Sequence, residues 1–205
     1  MGAPRIGIFG GTFDPPHLGH LILAAEAQDQ LGLERLLWVL TPDPPHKQGQ
    51  VIRPAGVRLQ MVQAALADNP AFELSRVELD RPGPHYALDT VRLLQGQFPD
   101  ADLFYLIGGD SLHDLPTWHQ PAALIRACAG LGVMRRPGDG VDLAHLESLF
   151  PGLSAKVHFV EAPLLEIASS QIRSRIAAGK PYRYYLPAGV RALIEENGWY
   201  REESA

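Results

Sequence analysis

The chain has little cysteine and no long apolar run. Cys128 is the one cysteine among its 205 residues, so an intramolecular disulfide and a Cys-based metal cluster are both excluded, and with them a disulfide-framed secreted fold. No segment approaches the roughly 20 consecutive apolar residues that span a bilayer. We therefore predict a cytoplasmic protein that makes no membrane contact.

Positive charge is also scarce. The chain carries 18 Lys and Arg residues against 23 Asp and Glu residues, a formal net charge of −5, and no basic block that would follow a phosphodiester backbone. Nucleic acid is therefore not an expected partner. The histidines from His85 to His158 show neither HxxxH nor HExxH spacing, so we predict no protein-built metal site.

The hydrophobic content is sufficient for a full-sized core. With 46% hydrophobic residues, the chain is predicted to form one compact domain over residues 1–205. Its opening residues read as strand, helix, strand, a unit that requires parallel pairing with a right-handed crossover. The first predicted strand is Ile6–Phe9, which stops before Gly10-Gly11, and the second is Leu36–Leu40. The predicted helix between them runs from His17 to about Leu31 and is ended by Gly32.

The same alternation continues over the rest of the chain. The pattern predicts an open α/β sheet of about six strands with helices on both faces and a helical C-terminal end. Further strands are predicted near 72–79, 103–107, 131–134 and 157–160, and further helices near 57–67, 87–95, 169–179 and 187–198. The apolar stretch 122–129, which holds Cys128, is also predicted to be helical. The one plausible hinge is 136–140.

The most informative segment runs from Gly10 to His20, where the first strand passes into the first helix. Glycines let a phosphate approach the backbone, and a helix N-terminus offers unpaired N–H donors and partial positive charge. His17 and His20, three positions apart, lie on one helical face and could meet one anion. Gly19 is unfavourable inside a helix, which a close-lying base or ribose would explain. The alternative is a plain turn, with His17 as a cap and His20 as a satisfied buried histidine.

This segment resembles the HxGH signature of the nucleotidylyltransferases, and the closest resemblance is to the bacterial nicotinate-nucleotide adenylyltransferases. Their fold is Rossmann-like, which implies an open, mainly parallel sheet here. Ala87, Ala168 and Gly109 depart from the residues that are common in the family. Further segments that resemble the family are Pro42–Lys47, Ile107–Leu112, Leu115–His119 and Ile167–Arg173.

The resemblance implies an enzyme that transfers AMP from ATP to nicotinic acid mononucleotide, forming nicotinic acid adenine dinucleotide and pyrophosphate in NAD biosynthesis. It also implies roles for individual residues. The catalytic set would be His17, His20, Lys47 and Arg173; ATP would contact Gly10, Gly11, Thr12, Phe13, Gly19, Gly108, Asp110, Ser169 and Ser170; the mononucleotide would contact Tyr86, Ala87 and Trp118.

Two of these assignments have structural alternatives. Asp110 could accept from ribose hydroxyls or cap a helix, and Trp118 could stack on the pyridine ring or fill the core. Mg²⁺ would arrive bound to ATP rather than in a protein cage, because the ion keeps several waters. Homo-oligomers occur in the family, although the sequence shows no self-evident interface.

Other functions remain open. The acceptor could be nicotinamide mononucleotide or another small phosphate, as in phosphopantetheine adenylyltransferases or cytidylyltransferases, although Trp118 and His46-Lys47 argue against these last two. A class I aminoacyl-tRNA synthetase would carry a KMSKS-type loop, which is absent. A non-catalytic nucleotide sensor would not need to neutralise a leaving pyrophosphate, so it is disfavoured by the joint presence of His17, His20, Lys47 and Arg173.

Overall fold

The computed structural model describes residues 2–43, 52–134, 141–163 and 165–201. Its six strands are β1 (Arg5–Gly11), β2 (Arg35–Leu40), β3 (Phe72–Ser75), β4 (Asp102–Gly108), β5 (Gly130–Met134) and β6 (Val157–Val160). The helices within these ranges are α1 (Leu18–Leu31), α2 (Ala55–Leu66), α3 (Ala87–Gln97), α4 (Gly109–His113), α5 (Pro121–Ala127), α6 (Leu143–Leu149), α7 (Ser169–Ala177) and α8 (Ala188–Asn197), with 3-10 turns at Leu115–Thr117 and Arg183–Tyr185. None of the described helices is both long and apolar enough to cross a membrane.

All six strands pair in parallel in the order β3-β2-β1-β4-β5-β6. β1 is central, and the chain runs to β2 and β3 on one side before it crosses to β4 on the other. This reversal is a topological switch point, and open α/β sheets bind ligands in the crevice outside the carboxyl ends of the strands at such a point. The turns after Gly11 of β1 and Gly108 of β4 flank that crevice.

Side chains alternate between the two faces of the sheet, and each face has its own buried cluster. Ile6 and Ile8 of β1 lie in the cluster that includes residues of α3 and α5, whereas Phe9 lies in the cluster that includes residues of α1 and α2. Trp38 is fully buried in the second cluster. Both faces are therefore covered by helices, as an all-parallel sheet requires.

A third buried cluster attaches the C-terminal helices to α2. Met61 of α2 packs there with Ile172 of α7, Val190 of α8 and the ring of Tyr200. The chain after β6 therefore lies against the helix that follows β2. This arrangement brings α7 close to the turn after β1, which matters for the site below.

The Rossmann-like α/β prediction is confirmed, and Gly32 ends α1 in the left-handed conformation (φ 61°), as predicted. The third strand is shorter than the predicted 72–79. Its pairing with β2 stops at Ser75 opposite Val39, and the chain then turns, with the N–H of Asp80 bonded to the carbonyl of Arg76. An edge strand cannot extend where its one neighbour has ended.

Two short helices, α4 and α6, follow β4 and β5 and were not expected from the apolar pattern. Cys128 is buried and stands at the C-cap of α5, one residue beyond the helix. The predicted hinge 136–140 lies outside the described residues.

Candidate active site

His17 and His20 lie together at the start of α1. His17 is the N-cap, and its backbone N–H donates to Nδ1 of His20 over 3.1 Å. The two imidazoles stack with their centroids 3.7 Å apart. Because Nδ1 of His20 accepts a hydrogen bond, the proton of the neutral ring belongs on Nε2. Nε2 of His20 is therefore a hydrogen-bond donor with a fixed direction.

Aromatic rings hold this pair in place. Phe13 is buried in a left-handed backbone conformation (φ 49°), and its ring meets that of His20 edge-on at 5.2 Å. A Cβ on Gly11 would lie only 2.7 Å from the Phe13 ring, so glycine is required for this packing. Phe9 contacts both Phe13 and His20. The strand-to-helix turn is thus shaped by its own side chains before any ligand binds.

Gly19 has a neighbour that the sequence did not indicate. A Cβ at this position would lie 3.1 Å from the His17 ring and 3.8 Å from Cβ of Ile167. The glycine therefore makes room for the His17 ring, whereas the sequence interpretation had assigned the space beside Gly19 to a base or ribose. A role for Gly19 in contacting ATP stays a prediction.

The N-terminus of α7 contacts the same turn. The Ser169 hydroxyl donates to the carbonyl of Pro15 over 2.9 Å, and Nη1 of Arg173 donates to the carbonyl of Asp14 over 2.7 Å. The Arg173 side chain keeps 24% of its surface exposed. Ser170 is exposed at the same helix end. The structure thus brings Arg173 and the two serines to the histidine turn, although they are more than 150 positions away in the chain.

Asp14 is central to this region, and the sequence interpretation did not single it out. Its side chain is 1% exposed, and Oδ1 accepts a 2.5 Å hydrogen bond from the hydroxyl of Tyr200. Oδ2 accepts from the backbone N–H of Arg53 and lies 3.9 Å from Nη1 of Arg173. Burial and the nearby Asp14 carboxylate raise the pKa of Tyr200. Its hydroxyl therefore remains a donor throughout the working range of the protein.

On the other side of the crevice, the rings of Tyr86, His119 and Trp118 form an aromatic wall. Tyr86 stacks on His119 with centroids 4.0 Å apart and an interplanar angle of 18°. Trp118, partly buried, meets the Tyr105 ring edge-on at 6.3 Å and packs against the core. The predicted mononucleotide residues Tyr86 and Trp118 are thus connected through His119, which follows Trp118 in the chain. The sequence interpretation placed His119 in the segment that resembles the family's substrate loop and rejected it as a metal ligand, but it gave this residue no contact of its own.

The backbone N–H groups at this wall differ in whether they already have a hydrogen-bond acceptor. Ala87 and Leu88 are the first residues of α3, so their N–H groups have no acceptor within the helix. The N–H of Trp118 is already bonded to the carbonyl of Leu115 over 3.1 Å. Of the N–H groups of the predicted mononucleotide contacts Ala87 and Trp118, that of Ala87 is therefore better placed to bind an anion.

Glu78 lies buried behind the wall. Its Oε1 accepts a 2.6 Å hydrogen bond from the Thr90 hydroxyl, while Oε2 has no hydrogen-bond partner among the described residues. Burial raises the pKa of the Tyr105 hydroxyl, and the Glu78 carboxylate raises it further. Thr90 also donates to the carbonyl of Tyr86 over 3.3 Å. Glu78 thus supports the start of α3 through Thr90.

Asp110 follows β4 as predicted, and Gly108, predicted just beyond the strand, is its last residue. Gly108 is the N-cap of α4, and Asp110 in its first turn is exposed, with Oδ1 accepting from the N–H of Ser111 over 2.8 Å. Lys47 lies outside the described residues. Among the residues that are described, no three His, Cys, Asp or Glu side chains are grouped to hold an ion.

The fold is a parallel sheet with a switch point, and the paired histidines lie beside that point, between β1 and α1. Together these features indicate the nucleotidyltransferase class. The family model described as cytidylyltransferase-like matches residues 8–175 of the chain. That match runs from the middle of β1 through β6 and includes most of α7.

Individual relatives narrow the class. The chain is 47% identical over 201 residues to a probable nicotinate-nucleotide adenylyltransferase of Thermomicrobium roseum, covering 98% of this chain and 94% of that protein. It is 40% identical over 196 residues to the nicotinate-nucleotide adenylyltransferase of Bacillus subtilis, covering 96% and 98%. The chain therefore belongs to the nicotinate-nucleotide adenylyltransferases, within the cytidylyltransferase-like family.

Solved structures share the fold. A Plasmodium falciparum nicotinic acid mononucleotide adenylyltransferase complexed with NaAD matches with a TM-score of 0.78 at 17% identity, covering 96% of this chain and 97% of that one. A Vibrio parahaemolyticus structure described as a putative nicotinate-nucleotide adenylyltransferase matches with a TM-score of 0.68 at 20% identity, covering 98% and 97%.

Proposed function

We propose that this protein transfers the adenylyl group of ATP to nicotinic acid mononucleotide, which forms nicotinic acid adenine dinucleotide and pyrophosphate in NAD biosynthesis. The observation that carries the proposal is the stacked His17–His20 pair at the switch point, in a chain 47% identical to a relative of that name. The nearby Arg173 supports it because its full charge suits the same anion.

The reaction requires positioning more than proton transfer. A phosphate oxygen of the mononucleotide attacks the α-phosphorus of ATP. A new O–P bond forms while the bond from the α-phosphorus to the bridging oxygen breaks, and pyrophosphate leaves with that electron pair. Because the attacking phosphate is already an anion near neutral pH, no general base is required, and catalysis depends on alignment and charge neutralisation.

His20 supplies a directed donor for this chemistry. With Nδ1 accepting from the His17 N–H, His20 would donate from Nε2 to an oxygen of the α-phosphoryl group. Such a donor stabilises the transition state most when it is held before the substrate arrives. Arg173, and Lys47 from the segment after β2, would neutralise the remaining triphosphate charge. Ser170 adds a hydroxyl donor at the start of α7, and Ser169 would do so on exchanging its bond to the Pro15 carbonyl for a phosphate oxygen.

The acceptor lies against the aromatic wall. Trp118 stacks on the pyridine ring, whose positive charge in the mononucleotide adds a cation–π attraction. The N–H of Ala87 at the start of α3 receives the nicotinate carboxylate, because a helix N-terminus favours an anion. Asp110, at the end of β4, accepts from ribose hydroxyls. The backbone from Gly10 to Phe13 accompanies the ATP phosphates.

Mg²⁺ enters with ATP. A divalent cation neutralises part of the triphosphate charge, and Mg²⁺ prefers phosphate oxygens and water to a dedicated all-protein site. The described residues near the histidine pair fit this arrangement because they are donors, which bind phosphate oxygens that the ion leaves free.

Pyrophosphate release tests the proposal directly. The enzyme is supplied with ATP and Mg²⁺, and nicotinic acid mononucleotide, nicotinamide mononucleotide and phosphopantetheine are compared in parallel. We expect a strong preference for the first. Preference for either of the others would overturn the acceptor, and nucleotide binding without turnover of any of them would favour a sensor.

A further inference from the structure

Arg58, in the first turns of α2, is a buried cation bonded to backbone carbonyls. Its side chain is 1% exposed. Nε donates to the carbonyl of Arg53 over 2.8 Å, and Nη1 donates to the carbonyls of both Thr12 and Thr41 over 2.9 Å. Nη2 donates to the carbonyl of Pro42 over 2.6 Å. One guanidinium therefore holds four carbonyl oxygens from three stretches of chain.

Two of these stretches lead to predicted phosphate contacts. Thr12 belongs to the turn between β1 and His17. Thr41 and Pro42 begin the segment after β2 that continues to Lys47. The N–H of Thr41 is also bonded to the carbonyl of Gly11. Arg58 thus joins the beginnings of both segments from beneath.

The Arg58 guanidinium also sets the direction of the peptide units whose carbonyls it binds. In a planar trans peptide, the carbonyl and the following N–H point in opposite directions. Since the Thr12 carbonyl points to Arg58, the N–H of Phe13 points away from it, and the same holds for Pro42 and the N–H of Asp43. Each N–H is thereby turned away from the buried cation.

A buried charge of this kind is costly, which makes a purely space-filling role a poor explanation. Burial lowers the pKa of Arg58, and the nearby carboxylates of Asp14 and Asp43 raise it. Its direct hydrogen-bond partners are carbonyls rather than a carboxylate, so the cation retains positive potential beneath the turn. Arginine offers five donors in a rigid fork, and lysine offers one point of attachment.

We propose that Arg58 is a positioning residue for the ATP triphosphate, which it serves by fixing the Thr12–Phe13 peptide and the Thr41–Pro42 turn. This inference rests on the proposed function only in requiring that ATP is bound. Arg58 makes no contact with substrate. It acts through the backbone of the two segments, and its effect should therefore appear on ATP and not on the acceptor.

The test compares Arg58→Lys with Arg35→Lys as a matched control. Arg35 begins β2 and pairs with Glu73 on the surface, at the amino end of the sheet. Far-UV circular dichroism and melting establish that both variants fold. We expect Arg58→Lys to raise KM for ATP and the Kd for α,β-methylene-ATP at least tenfold and to lower kcat about tenfold. KM for nicotinic acid mononucleotide should stay within twofold, and the control should match the wild type.

The outcomes separate the two proposals. An unchanged Kd for the ATP analogue in folded Arg58→Lys, or a fall in kcat with both KM values unchanged, would overturn the role of Arg58. If the wild type binds the analogue and turns over no mononucleotide, the proposed function fails while the Kd comparison still decides about Arg58. If the variant does not fold, hydrogen exchange of the wild type decides: the analogue should slow exchange at 12–14 and 41–43, and unchanged exchange at both refutes the proposal.

Discussion

The two sides of the crevice are built differently. The side proposed to bind the phosphates (the phosphate side), residues 11–20 with 169–173 and Tyr200, is held by ring contacts around His20 and by hydrogen bonds between distant parts of the chain, such as Tyr200 to Asp14 across 186 positions. The acceptor side, residues 78–90 with 105 and 118–119, is held by ring contacts and by short-range bonds such as Thr90 to Glu78 across 12 positions. The difference corresponds to what each side must do.

Charge moves on the phosphate side during the reaction. Donors there must be in place beforehand, because reorganisation at the moment of reaction would consume the benefit. A flat ring on the acceptor side needs a surface against which to stack, and stacking tolerates small displacements. We therefore expect changes on the phosphate side to act mainly on kcat and on ATP, and changes on the acceptor side to act mainly on KM for the mononucleotide.

The largest expected effect is that of His20→Ala. Removing the directed Nε2 donor should lower kcat by about two orders of magnitude or more, with the fold intact. Steady-state kinetics with a thermal melt measures both. His145→Ala, on the exposed surface of α6, is the control and should be neutral. Near-normal turnover in folded His20→Ala would contradict the role given to this ring.

Trp118→Leu should act on the acceptor alone. Loss of stacking costs roughly 1–3 kcal/mol per base in comparable sites, so KM for nicotinic acid mononucleotide should rise about tenfold or more. KM for ATP should stay within twofold. Trp199→Leu, which alters the cluster around α8, is the control for general loss of a tryptophan. An equal rise in both KM values would show that the two sides are not separable.

Tyr200→Phe tests how far the phosphate side depends on its long-range bonds. The change leaves one oxygen of the buried Asp14 without its hydroxyl donor, at a cost of roughly 1–3 kcal/mol. In a chain of this size, the melting temperature should fall by roughly 2–4 °C per kcal/mol. Tyr184→Phe, whose ring is 82% exposed, should melt like the wild type. Equal melting of both variants would mean that the Asp14 contact adds no stability.

The smallest effect is expected at Cys128, beneath the acceptor side. Burial raises its pKa from 9.0 to about 12. Above pH 9 the thiol ionises in the unfolded chain but not in the folded protein. The stability that this group contributes is therefore complete below pH 9 and declines toward pH 12. The free energy of unfolding falls by at most about 1.4 kcal/mol per pH unit in this range. Thermal melts of wild type and Cys128→Ala from pH 7 to 10.5 should show this difference in slope. Parallel curves would refute it.

Local signals in the sequence were sufficient for the framework. The apolar runs locate the strands and Gly32 locates the end of α1, because such signals act over a few residues, whereas Gly10, Gly11 and Gly108, predicted just beyond the strands, are their last residues. The histidine motif likewise located the turn after β1. The same reasoning missed the bonds of Asp14 to Tyr200 and of Arg58 to Thr41, since these depend on how α2 and the C-terminal helices pack. Gly19 was assigned to a ligand because nothing in the sequence shows that the His17 ring covers it.

The bond between Asp14 and Tyr200 also has a consequence for synthesis. A nascent chain emerges at about 5–20 residues per second, and 186 positions separate the two residues. The carboxylate in the first turn of the nascent protein therefore waits on the order of ten to forty seconds for the hydroxyl that completes its surroundings. Until then β1, α1 and β2 can assemble, but the turn after β1 lacks this hydrogen bond and gains it only once Tyr200 has been made.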